Sequence, residues 1–561
     1  MTPRRSLILI ALLLVASRVA AEDHLRINQL GYAPNDPKIA RLLAHTDRAG
    51  ESFRVVRAAD GSTVLRGTVG PTTGAWGRFG FSHTLDFTRL RATGWYRVVV
   101  GATRSLQFVV GDPPYAATAA ALLSFFPVQR CGNTNPALHG ACHLHDATSI
   151  RSGGPIWTRG AAATGGWHDA GDYIKFLTTV TYATHLLLWA DEIRPGLAGD
   201  RNRNGISDLL DEARIGAAWC LRLRCAPRQF IYQVQDTRDH SVGWRLPEHD
   251  RLTADRPAFY GVGRNHLGRL AAALARAARA FAGIDPVWAD SCRAAAEEAY
   301  AAAASAPALG DGESYADGTW QDKMALGAIE LYLTTGQAAY LDDARRYADQ
   351  AGPGGWFGWS NLNGLANALL GPHHAHSAEL LEKDLIGFRR QSRAHPWGMA
   401  GTETWGTTVV VAGAAIEALL YERLTGRTDY LPMAFTQRDF LFGTNPWGVC
   451  FVGGLGALFP SDFHHQVAHI VNGGALPGAV AEGPAPQALI DKQNIQLAKS
   501  DEYAEFQAER GAYHDDRHDY VTNEPTLTAN AAALLLTALL ESRPAGPGPR
   551  LTASLSPAPP R

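Results

Sequence analysis

The pattern of apolar and polar positions divides the chain into two unequal parts. From Leu25 to Val110, short β-rich runs alternate with turn clusters such as Ala59-Asp60-Gly61-Ser62. The runs predict strands over residues 52–57, 94–100 and 105–110. Short strands separated by turns in this way predict a small all-β sandwich.

Beyond a break at Gly111-Asp112-Pro113-Pro114, the pattern becomes helical and rich in alanine. Many helices joined by loops with Gly, Pro and Trp, without alternating strands, predict one large all-α domain. Paired helices that close into a toroid would place these loops around a cleft. Helical apolar spacing is found over residues 267–281, 288–304, 320–335, 340–350, 377–392, 407–424 and 527–540.

The N-terminus has the features of an export signal. Two arginines precede the apolar run from Leu7 to Ala16, and Val19-Ala20-Ala21 fits a signal-peptidase site. The run is too short for a membrane span, and a buried N-terminal helix is the alternative. The mature protein is therefore expected to begin near Glu22 and to work in the periplasm or the medium.

These patterns predict a signal peptide over residues 1–21, the β-sandwich over 22–111, the helical domain over 115–542 and a Pro-rich, disordered tail over 543–561. The net charge is −2 and long basic runs are absent from the sequence. Nucleic acid and anionic membrane surfaces are therefore not expected as partners, and the protein is expected to be a monomer.

The chemistry most visible in the sequence lies in the nine residues Gly165-Gly166-Trp167-His168-Asp169-Ala170-Gly171-Asp172-Tyr173. Two carboxylates, Asp169 and Asp172, stand between Trp167 and Tyr173. Paired carboxylates suit the acid/base cleavage of glycosidic bonds, and aromatic faces suit sugar rings. The alternative is a turn whose aspartates cap a helix.

A third carboxyl group, Glu524, stands near the C-terminus, just before a strongly apolar helical segment. Pro525 is a natural first-turn residue there, so Glu524 could be an acid favoured by the helix dipole. A toroid could instead bring Glu524 and the two aspartates together across one cleft.

Cys131, Cys142, His143 and His168 supply two thiolates and two imidazoles. Four such ligands make a closed tetrahedral zinc site, which is structural rather than catalytic. A Cys131–Cys142 disulfide is the alternative in an exported protein, and His145 is a rival ligand. Zinc bound by His168 would brace the loop that carries the adjacent Asp169.

Residues 200–212 follow the spacing of a calcium-binding loop, and Gly205 would make the turn. An Asn/Gly turn that caps the next helix is the alternative. The predicted oxygen ligands are those of Asp200, Asn202, Asn204, the Ile206 carbonyl, and Asp211 or Glu212.

Three segments resemble the signatures of glycoside hydrolase family nine, the cellulases with a six-hairpin (α/α) toroid. They are Gly165–Phe176 (GGWHDAGDYIKF), Phe463–His469 (FHHQVAH) and Tyr520–Ala531 (YVTNEPTLTANA). Arg26–Pro37 (RINQLGYAPNDP) resembles the start of the immunoglobulin-like domain that often precedes this catalytic domain. The resemblance spans residues 24 to 541, with the motifs in matching order.

The resemblance implies a role for each carboxyl group. Asp172 would be the general base that activates water, Asp169 would help to hold that water, and Glu524 would be the general acid. The family inverts the anomeric centre, so base and acid are expected about 6.5–9.5 Å apart. Glu524 must stay protonated until transfer, which requires a raised pKa. The resemblance also favours zinc, since some relatives carry it in a matching Cys and His pattern.

Substrate contacts are implied at further positions. Asp239–Trp244 (DHSVGW) resembles the DHxxW segment of the family, which makes His240 a sugar hydrogen-bond partner, and His464 resembles the leading histidine of the HHR signature. Trp320, Trp359 and Tyr520 are further candidates for stacking or subsite contacts. For each aromatic residue alone, packing in the core is the alternative.

The chain departs from the cellulase pattern near these residues. Gln466, a further expected substrate contact, stands where many cellulases have Arg, and Ala529 stands where many have Tyr. Trp359-Ser360-Asn361-Leu362 replaces the WDDK segment, and Asp322-Lys323 replaces a frequent Asp-Glu pair. The last two changes weaken the calcium site usually built there. All four changes make cellulose itself a doubtful best substrate.

The sequence thus predicts an exported, inverting β-glycosidase that acts on a β-glucan polysaccharide or oligosaccharide, with endo-β-1,4-glucanase as the leading activity. An exo-acting β-glucosidase or β-glucosaminidase of the same fold is one alternative. A carbohydrate-binding protein without activity is a second, although Asp169, Asp172 and Glu524 are all present. A zinc hydrolase is a third, but it would need an open ligand position.

Overall fold

The computed structural model describes residues 22–112, 114–151, 163–312 and 314–543. The predicted signal peptide lies outside these residues, as does the tail beyond residue 543. In the described part of the chain, no helix combines the length and the apolar character needed to cross a membrane.

The first domain is a sandwich of two antiparallel sheets within residues 22–112, which are described without a gap. One sheet has the order β1-β2-β6-β5, and the other has the order β4-β3-β7-β8, with β9 also paired to β7. The bounds are β1 His24–Arg26, β2 Ile39–Ala44, β3 Ser52–Arg57, β4 Thr63–Thr68, β5 Thr72–Trp76, β6 Phe79–Asp86, β7 Gly94–Val100, β8 Thr103–Arg104 and β9 Phe108–Val110.

Alternate positions of the central strands fill the space between the sheets. Phe53 and Val55 of β3 and Tyr96 and Val98 of β7 are fully buried. This period of two is the pattern expected of strands with one face on a core. The strands predicted over 52–57 and 94–100 coincide with β3 and β7.

The second domain is mainly helical. Its helices are α1 Tyr115–Leu123, α2 Phe125–Gln129, α3 Leu177–Ile193, α4 Asp208–Arg222, α5 Arg264–Phe281, α6 Pro286–Ala302, α7 Gln321–Thr335, α8 Ala338–Ala351, α9 Asn363–Leu370, α10 Ala375–Ala394, α11 Thr407–Thr425, α12 Leu431–Leu441, α13 Gln466–Asn472, α14 Gln487–Lys492 and α15 Leu527–Glu541.

Among the described residues, six of these helices form a closed inner ring in the order α3, α5, α7, α9, α11, α15 and back to α3. Each packs against an outer partner, which is α4, α6, α8, α10, α12 and α1 in turn. The inner helices are buried on most sides, as in α15, where Leu527 to Leu540 are all buried. The predicted fold class, a β-sandwich followed by an (α/α) toroid, is confirmed.

The structure also contains elements that the pattern did not predict. Helix α3 is buried on nearly all sides, so its sequence lacks the polar face that marks an amphipathic helix. The helical domain was expected to lack strands, but it carries β10 Ile150–Arg151, β11 Lys175–Phe176, β12 Arg224–Ala226, β13 Gln229–Val234 and β14 Ala258–Tyr260.

These short strands position the Asp169–Asp172 loop. Strand β11 follows the loop directly, pairs antiparallel with β13 and leads without a break into α3. The loop is therefore held between a sheet pairing on one side and the inner ring on the other.

The sandwich is fixed to the helical domain by buried polar contacts. Asn28 Nδ2 donates to Asp439 Oδ1 at 2.8 Å, and Arg438 pairs with Asp36. Trp76 Nε1 donates to the carbonyl of Phe506 at 2.7 Å. Buried pairs of this kind are costly to separate, because each partner would be left without its hydrogen bond.

Candidate active site

The Asp169–Asp172 loop is closed by hydrogen bonds of its own. The Asp169 N–H donates to Ile174 O at 3.0 Å, and the Ile174 N–H donates to Asp172 Oδ1 at 3.0 Å. The other oxygen of Asp172 lies 2.9 Å from His240 Nε2, and this contact raises the pKa of His240. The Asp172 carboxylate is thus fixed at both oxygens.

Glu524 lies directly beside this loop. The Gly171 N–H donates to Glu524 Oε1 at 3.0 Å, and the Leu527 N–H at the start of α15 donates to Asp169 O at 3.1 Å. A Cβ on Gly171 would lie 2.3 Å from His464 O and 3.1 Å from Glu524 Oε1, so this approach requires glycine. The toroid brings the three carboxyl groups together as the sequence predicted.

The environment of Glu524 favours its neutral form. Burial and the nearby charge of Asp172 raise the pKa of Glu524 well above its ordinary value, against the effect of the Gly171 N–H. The raised pKa favours the protonated form of Glu524, which is the form that a general acid requires before proton transfer.

Asp169 is buried and has a hydroxyl group on each oxygen. Thr179 donates to Oδ1 and Tyr315 donates to Oδ2. Burial and the charge of Asp172 raise the pKa of Asp169 to about 7, although both hydroxyl groups oppose the shift. These two donors fix the direction of the carboxyl group.

A fourth carboxyl group, Glu482, was not predicted. It accepts a hydrogen bond from Thr526 Oγ1 at 2.7 Å, and its N–H donates to Glu524 O at 3.0 Å. Burial, with a smaller contribution from Asp169, raises the pKa of Glu482 to about 7. The available signal in the sequence was a lone acid in the apolar run Gly478–Ala485 (GAVAEGPA).

The carboxyl groups open into a cleft with a volume of about 1090 Å³. Seven aromatic side chains line it, and two of them, Trp244 and Trp405, are 36% and 42% exposed. Aromatic faces next to a few polar groups suit a carbohydrate ligand. The aromatic lining residues are Phe176, Trp244, Tyr315, Trp356, Trp359, Trp405 and Tyr520.

Five of the six predicted substrate contacts line this cleft: His240, His464, Gln466, Trp359 and Tyr520. Trp320 is placed elsewhere, with its ring 5.6 Å from that of Tyr347 and under the guanidinium of Arg264. Residue type alone does not separate these cases, because an aromatic side chain serves both packing and stacking.

The polar contacts of the cleft histidine and glutamine define what each can do. His464 Nδ1 lies 2.6 Å from the carbonyl of Arg517 and so carries its proton there, and burial lowers the pKa of this histidine. In neutral His464, Nε2 carries no proton and can therefore accept a hydrogen bond from a ligand in the cleft. Gln466 Oε1 accepts from the Arg245 N–H at 3.2 Å and from Arg245 Nη1 at 3.3 Å, so this oxygen is already bonded to Arg245.

Cys131, Cys142, His143 and His168 are all buried, and their ligand atoms lie within 4.8 Å of one another. His143 Nδ1 is 3.1 Å from His168 Nε2, and Cys131 Sγ is 3.7 Å from His143 Nδ1. Neither Cys131 nor Cys142 is paired in a disulfide in this structure, which favours the metal site over the disulfide alternative. His145, the rival ligand, is exposed. The group can hold a metal ion.

The loop over residues 200–212 folds back on itself. Asp200 accepts from the N–H groups of Asn204 and Gly205 at 3.2 and 3.0 Å, and the Ile206 N–H donates to Asn204 Oδ1 at 2.8 Å. The Asn202 and Asn204 side-chain amides donate to Asp211 Oδ2 at 2.7 and 2.8 Å. The side chains of the predicted ligands therefore converge.

Comparison with known proteins agrees with this site. The sequence-family model for glycosyl hydrolase family 9 matches residues 115–537, and the family model for the cellulase N-terminal ig-like domain matches residues 20–105. The chain is similar to the xyloglucan-specific endo-β-1,4-glucanase of Bacteroides ovatus, with 27% identity over 94% of this chain and 95% of the relative.

Two solved structures are also similar. A metagenome-derived family 9 endoglucanase has 28% identity and a TM-score of 0.76, over 93% of this chain and 99% of the other. A zinc-binding triple mutant of the family 9 endoglucanase J30 has 25% identity and a TM-score of 0.77, over 91% and 99%. With a family match over most of its length and the three carboxyl groups in one cleft, the chain belongs to glycosyl hydrolase family 9 and is a glycoside hydrolase.

Proposed function

We propose that this enzyme is an exported, inverting endo-β-1,4-glucanase that acts on β-glucans. The observation that carries the proposal is the position of Glu524, which accepts from the Gly171 N–H in the same cleft as Asp169 and Asp172, with burial that raises its pKa. The similarity to a xyloglucan-specific endo-β-1,4-glucanase supports a β-1,4-linked glucan backbone as substrate.

In the proposed reaction, Glu524 donates its proton to the glycosidic oxygen as the bond to the anomeric carbon breaks. Asp172 accepts a proton from the water that attacks that carbon from the opposite face, which inverts its configuration. Asp169, fixed by Thr179 and Tyr315, orients the water. Release of the proton from Asp172 and uptake of one by Glu524 restore the starting state.

An endo-acting enzyme that works as a monomer is part of this proposal. Trp244, Trp356 and Trp405 line the same cleft as the carboxyl groups. The exposed rings provide stacking surfaces for several sugar units, and the hydrogen-bonding groups provide their orientation.

The test is a product analysis on β-glucan, xyloglucan, glucomannan and chito-oligosaccharides. Endo action predicts a rapid fall in viscosity with few new reducing ends, and proton NMR of the first products should show the inverted anomer. Glu524→Gln should lower kcat by about 10³-fold or more, and Asp172→Asn likewise, with unchanged folding. Glu509→Gln, an exposed acid, is the matched control. Release of single sugars from chain ends would contradict endo action, and a retained anomer would contradict inversion.

The Cys131, Cys142, His143 and His168 group is proposed to hold structural zinc. Tetrahedral zinc with ordinary bond lengths places its ligand atoms about 3.3–3.8 Å apart, and the separations of 3.1, 3.7 and 4.0 Å are close to this range. Asp250 Oδ2 lies 3.1 Å from His143 Nε2 and would orient that ring. The ion would cross-link the loop that carries Asp169 and take no part in the reaction.

Cys131→Ser should abolish the bound zinc and lower the thermal midpoint, whereas Cys450→Ser, which changes a buried thiol elsewhere, should retain the metal. Metal analysis of the purified protein and calorimetry are the measurements. Equal zinc content in both variants would rule out this site.

The loop over residues 200–212 is proposed to bind calcium through Asp200, Asn202, Asn204, the Ile206 carbonyl and Asp211. The turn made by the Asp200 hydrogen bonds supports this proposal, because it brings these oxygens to one side. Titration calorimetry with calcium chloride should show a site that Asp211→Ala removes. Equal heats for the two proteins would leave a simple turn that caps α4.

A further inference from the structure

Lys323 places a positive charge in the interior of the helical domain. It lies in the first turn of α7, and its side chain is fully buried. Among the described residues, four oxygens surround its Nζ: Ser360 O at 2.5 Å, Thr319 Oγ1 and Asp322 Oδ2 at 3.0 Å, and Asp317 Oδ1 at 3.2 Å. A buried ammonium persists only in such an environment.

The family resemblance implies a calcium site at this position, and the residues present do not fit one. Calcium needs six to eight oxygens at about 2.3–2.6 Å, but Lys323 Nζ occupies the centre of the oxygen cage. Asn361 is also turned away, since its amide donates to Gly354 O and its oxygen accepts from the Asn363 N–H. The oxygens of this cage therefore surround the Lys323 ammonium group rather than a bound metal ion.

The cage fixes the loop that forms one wall of the cleft. Ser360 O accepts from Lys323, and the Leu362 N–H donates to Asp322 Oδ2 at 2.9 Å. Arg269 completes the attachment, because it donates to Trp359 O at 2.9 Å. The Trp359–Leu362 loop is thus held at three points by two buried cations and a carboxylate.

Asp317 joins the two cations. Its Oδ2 accepts from Arg269 Nη2 at 2.7 Å, and its Oδ1 faces Lys323. Burial alone would raise the pKa of Asp317, but Arg269 and Lys323 hold it below the ordinary value. Loss of either cation would leave this buried carboxylate with only one of its two charged partners.

The cage is connected to the reacting groups through a short path. The Trp359 ring lines the cleft and meets the Tyr315 ring edge-on at 4.8 Å. Tyr315 in turn donates its hydroxyl hydrogen to Asp169. Tyr315 also lies two positions before Asp317 in the chain, so a movement of the cage would reach Asp169 from two sides.

We infer that Lys323 is a positioning residue, whose fixed ammonium takes the place of a divalent cation and holds Trp359 and the Tyr315–Asp169 contact in register. Because the charge is covalently attached, this wall of the cleft keeps its shape at any calcium concentration. The inference rests on the proposed function only for the choice of a β-glucan in the kinetic assay.

The first test is Lys323→Ala, which empties the cage and leaves room for a small amine. At a temperature well below the thermal midpoint, kcat/KM on β-glucan should fall on the order of 10- to 100-fold, as expected when a cleft wall moves. Ethylammonium should restore it in a saturable manner, whereas tetramethylammonium, which is too large and lacks N–H donors, should not.

The second test is Lys323→Glu, which turns the cage into three carboxylates, a hydroxyl and a carbonyl. This variant should gain a thermal midpoint and a kcat/KM that rise with calcium, beyond any rise in the wild type. Lys38→Ala is the matched control, because Lys38 is also buried, in the sandwich, where it donates to Pro34 O and Asp36 O. It should lower the thermal midpoint without changing KM.

Three results would overturn the inference: wild-type kcat/KM in Lys323→Ala, failure of ethylammonium to restore that variant, or indifference of Lys323→Glu to calcium. If Lys323→Ala folds only with ethylammonium, the inference is supported. If both variants fail to fold with and without the added cation, it is rejected. An enzyme inactive on every β-glucan would refute the proposed function alone, since the thermal response of Lys323→Glu needs no substrate.

Discussion

Glu482→Gln should stabilise the protein at alkaline pH and leave it unchanged at acid pH. Glu482 is buried beside Asp169, and its pKa rises from 4.5 to about 7 on folding. The native state therefore holds a proton between these two values that the unfolded state has released. The stability of the wild type must fall as the pH rises through this window, and glutamine, which mimics the neutral acid and can still accept from Thr526, removes that fall.

The size of the effect follows from the shift. Each pKa unit corresponds to about 1.4 kcal/mol, so a rise from 4.5 to about 7 makes Glu482→Gln more stable by about 3 kcal/mol above the window. Urea denaturation at about pH 4 and about pH 8 measures the difference, because these values lie below the unfolded pKa of 4.5 and above the folded pKa of about 7.

Glu403→Gln provides a control of opposite sign. Glu403 is bonded to His395 Nε2 at 2.8 Å and to Arg510 Nε at 2.9 Å, and these partners lower its pKa despite burial. This variant should therefore lose stability at about pH 8 and lose less at acid pH. Equal stability of Glu482→Gln and the wild type at both pH values would refute the reasoning that the cleft holds Glu482 in its neutral form.

Further predictions concern the geometry of the site and the domain interface. Gly171→Ala should lower kcat by about 10²-fold with little loss of folding, because the new Cβ would lie 2.3 Å from His464 O. The control Gly283→Ala, which has open space around its Cβ, should have wild-type activity. Normal activity of Gly171→Ala would show that the loop can shift. Tyr315→Phe removes a donor that lowers the pKa of Asp169, so the acid limb of the kcat/KM profile should move to higher pH, while Tyr340→Phe in α8 should leave the profile in place. Trp76→Ala should lower the free energy of unfolding by about 3–5 kcal/mol, measured by calorimetry or urea titration. The control Trp95→Ala, which changes a ring that is 56% exposed, should lower it little. Equal losses in the two variants would mean that Trp76 has no special role at the interface.

The parts of the fold and site that the sequence predicted are those encoded locally. The strands β3 and β7 were visible because alternate residues face one core. The Asp169–Asp172 loop and Glu524 were visible because motif, spacing and order all occur within short segments. Helix α3 was not, since a helix buried on every side has no periodic polar face.

The remaining groups depend on the closure of the ring. Glu482 lies far along the chain from Tyr315 and Lys323, and none of the three stands in a recognisable local motif. Their roles arise only when α3, α7 and α15 bring these segments to one cleft. Asp322-Lys323 was interpreted as a weakened calcium site, and the pattern alone did not show that the lysine supplies the cation.

The contact between Trp76 and Phe506 has a consequence for the way the molecule responds to damage. Phe506 begins the segment that leads to Tyr513 and Asn523 and then to Glu524, and Tyr513 OH donates to Asn523 Oδ1 at 2.9 Å along the way. The sandwich thus supports the segment from Phe506 to Glu524, which carries the proposed general acid. A destabilising substitution in the sandwich, far from the cleft, should therefore lower kcat. The two domains should also unfold in a single cooperative transition.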